Sequence, residues 1–519
     1  MNAARTTPAR TLMVQGTASS VGKSLIVAAL CRIFHREGLN VAPFKAQNMA
    51  LNSFVTPDGG EIGRAQAVQA EAAGIEPCVD MNPILQKPEG GMRSQVIVLG
   101  KPRGRMTWSE YQQLKPEFVQ IIADSLHRLR ARHDLIVIEG AGSPAEVNLA
   151  GQDIVNMHVA AEAEAPVLLV GDIDRGGVFA HLTGTMELLA PADRARVAGF
   201  LINKFRGEPA LLASGLEFLR ARFQIPVLGV IPYVERLRIA DEDSVALEDR
   251  RNRRATGPGQ IDIAVVRLPR ISNYDDFLAL EHEDGVTVRF VEEAGEIGAA
   301  DLAIIPGSKS TVADLEWLIE SGFARAIVAR AHEGGLVAGI CGGCQMLGER
   351  IDDPHRVESD EASVRGLGLL PIVTRFAKTK VTAQVRARVE VPSILGIILG
   401  TMDGTAGEIS AYEIHMGNVE RVAGTAAPFR IVERNGVLVD ALDGAINRGG
   451  TVVGTMLHGI FENDPLRAAL LGALRQRKGL SAHSETRPVA SREAEYDRLA
   501  AAVAASVDLP MLRKIAGLA

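Results

Sequence analysis

The sequence predicts an α/β protein of two domains, each a parallel sheet covered by helices, on three observations. Short runs of Val, Ile and Leu alternate with longer helical patterns, and this happens twice along the chain. At 519 residues the chain is longer than one domain of ~150 residues. Between the two blocks lies "ERLRIADEDSVALEDRRNRRATGPGQ" (235–260), rich in charge and closing on Gly-Pro-Gly, the composition of a surface linker.

In the first block the expected strands are "TLMVQ" (11–15), "LIVIEG" (135–140), "PVLLVGDID" (166–174), "VAGFLINK" (197–204) and "VLGVIP" (227–232). Their unbroken apolar runs suit strands buried on both faces. The second block offers "IDIAVVRL" (261–268), "VTVRFV" (286–291), "LAIIPGS" (302–308) and "LVAGICGG" (336–343). Further on, "KVTAQVRARVEV" (380–391) alternates apolar and polar residues at period two, which predicts a half-buried antiparallel strand. The expected organisation is a domain over 1–235, a linker over 236–259, a second domain over 260–470 and a helical tail over 471–519.

Composition removes several classes of function. Lys+Arg 56 against Asp+Glu 63 leaves a net charge of −7, and aromatic residues make up 4%. Neither favours a nucleic-acid binder, which needs a basic stripe or stacking platforms. Four cysteines cannot form a disulfide framework, so a reducing, cytoplasmic setting is expected. No stretch reaches the ~18 consecutive apolar residues of a membrane span.

"LMVQGTASSVGKSLIVAALCRIF" runs strand, Gly-rich turn, helix. Gly22-Lys23-Ser24 ends like a Walker A loop: backbone N–H groups hold phosphates, Lys23 reaches the outer phosphates and Ser24 ligates Mg²⁺. Gly16 and Gly22 are separated by five residues rather than four, and Thr17 takes the usual first-glycine place. This longer loop resembles the dethiobiotin-synthetase branch of P-loop proteins. An acid at a neighbouring strand end is needed beside the metal, and Glu139 in "LIVIEGAGSPAEVNL" is the candidate. Asp172, Asp174 and Arg175 close another strand, although strand-end acids also serve as helix caps.

"LVAGICGGCQMLG" (336–348) holds Cys341 and Cys344. Zinc lacks a second ligand pair at finger spacing. A strand, a glycine-flanked turn and a helix instead describe a nucleophile elbow. The G-x-C-x-G pattern is met by Cys341, between Gly339 and Gly343; for Cys344 the second glycine would be at 346, where Met346 stands. Cys341 is therefore the expected nucleophile and Cys344 a buried bystander. His458, in "TVVGTMLHGIFEND", is the expected base at a strand end, with His415 its rival. The turn in "IIPGSKST" (304–311) supplies Gly307, whose N–H with that of Gly342 forms the expected oxyanion hole.

"GICGGCQMLG" with "GTMLHGIFEND" resembles the class I glutamine amidotransferases, whose sheet is flavodoxin-like. "PFKAQNMALNS", "GEIGRAQ", "EGAGSPAEVNL", "GDIDRGGVFA", "INKFRG", "PRISNYDDF" and "YEIHMG" together resemble the cobyric acid synthase family, over residues 11 to 470. The resemblance implies ATP- and glutamine-dependent amidation of the b, d, e and g carboxylates of adenosylcobyrinic acid a,c-diamide, giving adenosylcobyric acid. The alternative is the sister reaction at the a and c carboxylates. The sister enzymes carry aspartates after their second strand, where "KAQNMALN" here offers Lys45, Gln47, Asn48 and Asn52. Gln47, Asn48, Glu61 and Arg64 are accordingly expected to contact substrate or nucleotide, and Asn203-Lys204 the adenine. In the wider amidotransferase pattern a Glu follows the catalytic histidine by two residues, but here Ile460 stands there. A Cys–His dyad with a loosely oriented imidazole is therefore expected.

Overall fold

The computed structural model describes residues 8–89, 92–149, 151–235, 237–240, 259–298, 300–390, 393–394, 397–398, 407–481 and 491–518. The first sheet has six parallel strands: β1 (Arg10–Gly16), β2 (Val41–Phe44), β3 (Leu135–Glu139), β4 (Val167–Asp172), β5 (Val197–Phe205) and β6 (Val227–Pro232). Their order is β6-β5-β4-β1-β3-β2. The chain departs to either side of β1, so the carboxyl ends of β1, β3 and β4 border the crevice where such sheets bind ligands. The five expected strands are all present. β2 was not expected, because "VAPF" is four residues long and contains Pro43. It lies at the sheet edge, where a missing N–H is tolerated.

Helix α1 (Lys23–Arg36) follows β1 and buries Ile26, Val27, Leu30, Cys31 and Phe34 against the sheet. His35 and Arg36 in its last turn suit the negative end of the helix dipole. Between β2 and β3 the chain builds a second, four-stranded layer (Gln47–Met49, Ile84–Pro88, Arg93–Val98, Lys101–Thr107) and a short hairpin (Ser53–Val55, Glu61–Gly63). Helix α2 (Arg64–Ala72) leaves that hairpin and is almost wholly buried.

The second sheet contains β7 (Ile261–Val266), β8 (Val286–Val291), β9 (Leu302–Ile305), β10 (Leu336–Ile340) and, far along the chain, β13 (Val452–Thr455). The parallel order is β8-β7-β9-β10-β13, closed by the antiparallel Ala445–Ile446. The expected period-two strand is the second half of β11 (Ile372–Val389), which pairs antiparallel with β12 (Glu408–Arg421). β12 also pairs with Leu457–His458, setting Tyr412 opposite His458.

Most of the expected linker, 241–258, lies outside the described residues. The helical tail does not stand apart. After Asp464–Arg477, which packs in the second domain's core, the chain returns to the first domain as α4 (Arg492–Ala504) and α5 (Leu509–Ile515). Tyr496, Leu499, Val503 and Leu512 share one apolar core with Leu30 and Phe34 of α1. Among the described residues no helix is long and apolar enough to cross a membrane.

Candidate active sites

Cys341 lies where β10 turns into the short helix α3 (Gly342–Leu347), at φ 49° and ψ −108°. A non-glycine residue at positive φ is strained, and the elbow holds it there to lift the side chain off the sheet. Tight packing makes Gly343 obligatory, since a Cβ on it would sit 2.0 Å from the carbonyl oxygen of Ile305. Cys341 Sγ lies 3.8 Å from the carbonyl oxygen of Ile414. Cys344 is fully buried against Gly454, and burial pushes its thiol well above the ordinary range. Burial of this kind suits the bystander reading of Cys344.

His458 is 1% exposed and its Nδ1 is 2.6 Å from Asp276 Oδ2. The other carboxylate oxygen of Asp276 accepts the N–H of Gly459 at 2.8 Å. Tyr412 stacks on the imidazole at 5.1 Å and 15°. The dyad expectation is thus corrected: Asp276, from the other end of the domain sequence, fills the role that Ile460 cannot. Burial alone would lower the histidine's pKa, but the charges of Asp276 and Cys341 outweigh it and push it up to about 10. Among the described residues Nε2 makes no regular hydrogen bond, which leaves it to the Cys341 thiol and to substrate. The rival His415 is held differently, with Nδ1 3.0 Å from the carbonyl oxygen of Gly417 and Nε2 3.6 Å from Glu413.

Gly307 lies against the imidazole: a Cβ on it would be 3.1 Å from His458 Cε1. Gly342 faces the same turn, 2.9 Å from the N of Ser308 by the same construction. The two expected oxyanion residues therefore flank the Cys341–His458 pair. A cavity of about 40 Å³ opens on Cys341, lined by Gln345, Lys309 and His415 of its own domain and by Lys87 and Gln95 of the first.

The second site is a cleft of about 1370 Å³ at the carboxyl edge of the first sheet. Gly22, at φ 95°, turns the chain into α1, and a Cβ there would strike the Asn203 carboxamide at 2.2 Å. Lys23 Nζ donates to the carbonyl oxygens of Ala18 (2.9 Å) and Gly142 (3.1 Å), curling over the loop. Glu139 is 1% exposed and accepts from Ser24 Oγ (2.9 Å), Lys45 Nζ (2.9 Å) and Gln69 Nε2 (2.6 Å). A hydroxyl and a carboxylate in contact are hard oxygen donors of the kind Mg²⁺ takes alongside phosphate and water, so Ser24 and Glu139 fit that ion.

Gln47 and Asn48 line this cleft. Asn203 and Lys204 line it as well, but their polar ends brace the loop. Asn203 donates to the carbonyl oxygen of Val21 at 2.8 Å, and Lys204 to Ser20 and Asp172. Glu61 and Arg64 do not line the cleft; both face the other domain. Glu61 is fully buried between Lys87 and Lys380, whose charges outweigh burial and hold its carboxyl down at about 2. Arg64 Nη2 pairs with Asp275 Oδ2 at 2.8 Å. Lys45, Gln69 and Asp276 were not singled out as site residues from sequence. The adjacent acids of "NYDDF" were the one visible sign of Asp276.

Two family models match the chain. Residues 12–246 match the CobQ/CobB/MinD/ParA nucleotide binding domain, and residues 262–466 the CobB/CobQ-like glutamine amidotransferase domain. The chain is 64% identical over 515 residues to the cobyric acid synthase of Sorangium cellulosum, covering 98% of this chain and 99% of the relative. It is 52% identical over 508 residues to that of Dehalococcoides mccartyi strain CBDB1, with coverages of 98% and 99%. The counterpart from Syntrophobacter fumaroxidans is 48% identical over 521 residues, with the same coverages.

Proposed function

The chain belongs to the cobyric acid synthase family, and from that premise we propose that it amidates adenosylcobyrinic acid a,c-diamide at its b, d, e and g carboxylates, giving adenosylcobyric acid. Glutamine supplies the nitrogen and ATP is consumed at each step. One observation carries the reading: a buried Cys341–His458–Asp276 array and an open P-loop cleft share one chain. A free carboxylate is a poor electrophile and needs activation before ammonia can attack it.

At the first site His458 already holds the proton drawn from Cys341, and the thiolate attacks the glutamine carboxamide carbon. The N–H groups of Gly307 and Gly342 hold the resulting oxyanion. The imidazolium returns the proton to the departing nitrogen, ammonia leaves, and water cleaves the thioester to glutamate. Asp276 keeps the ring in the tautomer that presents Nε2 to the sulfur.

At the second site a corrinoid carboxylate attacks the terminal phosphorus of ATP and ADP leaves. Ammonia then displaces phosphate from the acyl phosphate. Lys23 and Lys45 balance phosphate charge, and Ser24 with Glu139 would hold Mg²⁺, which supplies charge neutralisation at the transferring group. The adenine suits the apolar end of the cleft, lined by Ile231, Pro232, Ile239, Leu499 and Val503, with Asn203 and Lys204 at its border. The corrinoid suits the other wall. There Gln47 and Asn48 sit beside Met49, Trp108, Val147 and Leu149, apolar side chains that are 38–67% exposed and match a broad hydrophobic macrocycle. Lys87 and Gln95 in the wall of the Cys341 cavity support passage of ammonia from one domain to the other. Four unpaired cysteines suit a reducing cytoplasm.

The test is incubation with adenosylcobyrinic acid a,c-diamide, Mg·ATP and glutamine, followed by product mass. Four successive exchanges of a carboxyl hydroxyl for an amino group are expected. An unchanged a,c-diamide, with cobyrinic acid amidated instead, would select the sister reaction. The shared name of the relatives favours the first outcome.

A further inference from the structure

Helix α2 touches both centres. At its carboxyl end Gln69 Nε2 donates to Glu139 Oε2 at 2.6 Å, beside Ser24 and Lys45. At its amino end Arg64 pairs with Asp275, the residue immediately before the Asp276 that holds His458. Nine residues span roughly 14 Å at 1.5 Å per residue. Its outer flank is clamped as well. Glu71 accepts from Tyr496 Oη at 2.7 Å and pairs with Arg492, which also pairs with Glu462, four residues beyond His458. Flanking contacts hold the same segment in place, since Ser53 N donates to Asn273 Oδ1 at 3.0 Å.

We propose that Arg64 and Asp275 are positioning residues which, through α2, tie the alignment of Asp276 and His458 to occupation of the nucleotide cleft. The proposal rests on the reading that both sites serve one reaction.

Two details support a device with more than one setting. The Arg64–Asp275 contact uses one oxygen and one guanidinium nitrogen, although such pairs are commonly two-pronged. Among the described residues, Arg64 Nε and Asp275 Oδ1 are both buried without a hydrogen-bond partner, as is Gln69 Oε1. Unmet buried valences are costly, so a slightly shifted helix that closed the second prong would be a distinct, competing arrangement. At the other end Glu139 already accepts three donors, and a nucleotide with its metal must draw on the same carboxylate, changing what Gln69 can hold. Tyr412 stacks on His458, and the charges of Asp276, Asp275, Arg64 and Glu462 act on it. A shift of the Arg64–Asp275 pair therefore reaches the imidazole through the chain to Asp276, and electrostatically through the stacked Tyr412.

The test reads Cys341 directly, using the full chain. Iodoacetamide labels the thiol in the presence or absence of Mg²⁺ with the β,γ-imido analogue of ATP, and labelling at Cys341 is followed by peptide mass. In the unaltered protein the nucleotide is expected to raise the rate about tenfold, within the range common for coupled sites. In Asp275→Asn and Arg64→Met the response is expected to fall below about twofold, with Arg64→Lys recovering part of it. Amidation driven by ammonium chloride is expected to stay within about threefold in these variants, showing folded and competent clefts. A second variant at the far end, Gln69→Met, is expected to lose the response in the same way. An unaltered protein whose Cys341 ignores the nucleotide, or variants that keep the full response, would overturn the proposal. Failure of the unaltered protein to amidate the corrinoid with ammonium would instead overturn the function proposed above, and leaves the labelling result readable.

Discussion

The two centres solve opposite problems. The glutamine-hydrolysing site is small, buried and already assembled. About 40 Å³ of space adjoins Cys341, and the His458–Asp276 contact is made at 2.6 Å. The P-loop cleft is some thirtyfold larger, at about 1370 Å³, and its charged groups bond one another and the loop backbone where phosphates would be held. A small, invariant nucleophilic reaction benefits from dipoles fixed in advance. A cleft that must turn a bulky substrate to present several carboxylates benefits from width and from polar groups that can change partners.

That contrast can be broken most severely at Lys23. Lys23→Ala is expected to lower amidation about 10³-fold or more with either glutamine or ammonium as nitrogen source, measured by product mass. Retained ammonium-driven turnover would mean that the lysine does not serve the phosphates. Next in size is Asp276→Asn, which leaves the shape but removes the charge that orients the imidazole. Glutamine-driven kcat is expected to drop by about 10²–10⁴ while the ammonium-driven rate is kept, the pattern seen when a triad acid is neutralised. A loss under tenfold would restore the dyad.

Lys45→Met strands the buried Glu139 carboxylate. The expected cost is about 3–5 kcal/mol of stability in the first domain, read by urea unfolding, with an ATP KM raised about tenfold. Unchanged stability would show that the pair is not the anchor its burial implies.

A smaller effect concerns pH. The folded pKa of His458, about 10, lies above the unfolded value near 6.5, so its pairing contributes fully below about pH 6.5 and is lost as pH rises through 10. The stability gap between the unaltered protein and Asp276→Asn should therefore be widest at pH 6 and narrow toward pH 10. A gap independent of pH would contradict the ion pair. Least of all, Cys344→Ala is expected to change glutamine-driven activity by under about twofold and stability by about 1 kcal/mol, a packing effect alone.

Local patterns were the legible part of both sites. The glycine spacing around Cys341 and the Gly-Lys-Ser after β1 each encode a turn whose backbone defines the chemistry, and each is read within a dozen residues. Asp276 could not be read so, because it stands 182 positions from His458 and meets it only after the second sheet has folded. Glu61 and Arg64 were polar residues in the right neighbourhood, but a domain interface and a substrate wall ask for the same residue types. Their partners Lys380 and Asp275 are remote in sequence. Helices were expected in the tail, and α4 and α5 lie there; their destination on α1 was set by burial of Leu499 and Val503, which helical periodicity does not specify.

The account stands most directly on the separability of nitrogen release from carboxylate activation. The decisive measurement compares Cys341→Ala with the unaltered protein, supplied either with glutamine or with ammonium chloride, together with Mg·ATP and the corrinoid diamide. Full loss with glutamine and near-normal amidation with ammonium is the predicted result. Amidation from glutamine without that sulfur, or loss of both reactions in a protein that still binds nucleotide, would contradict it.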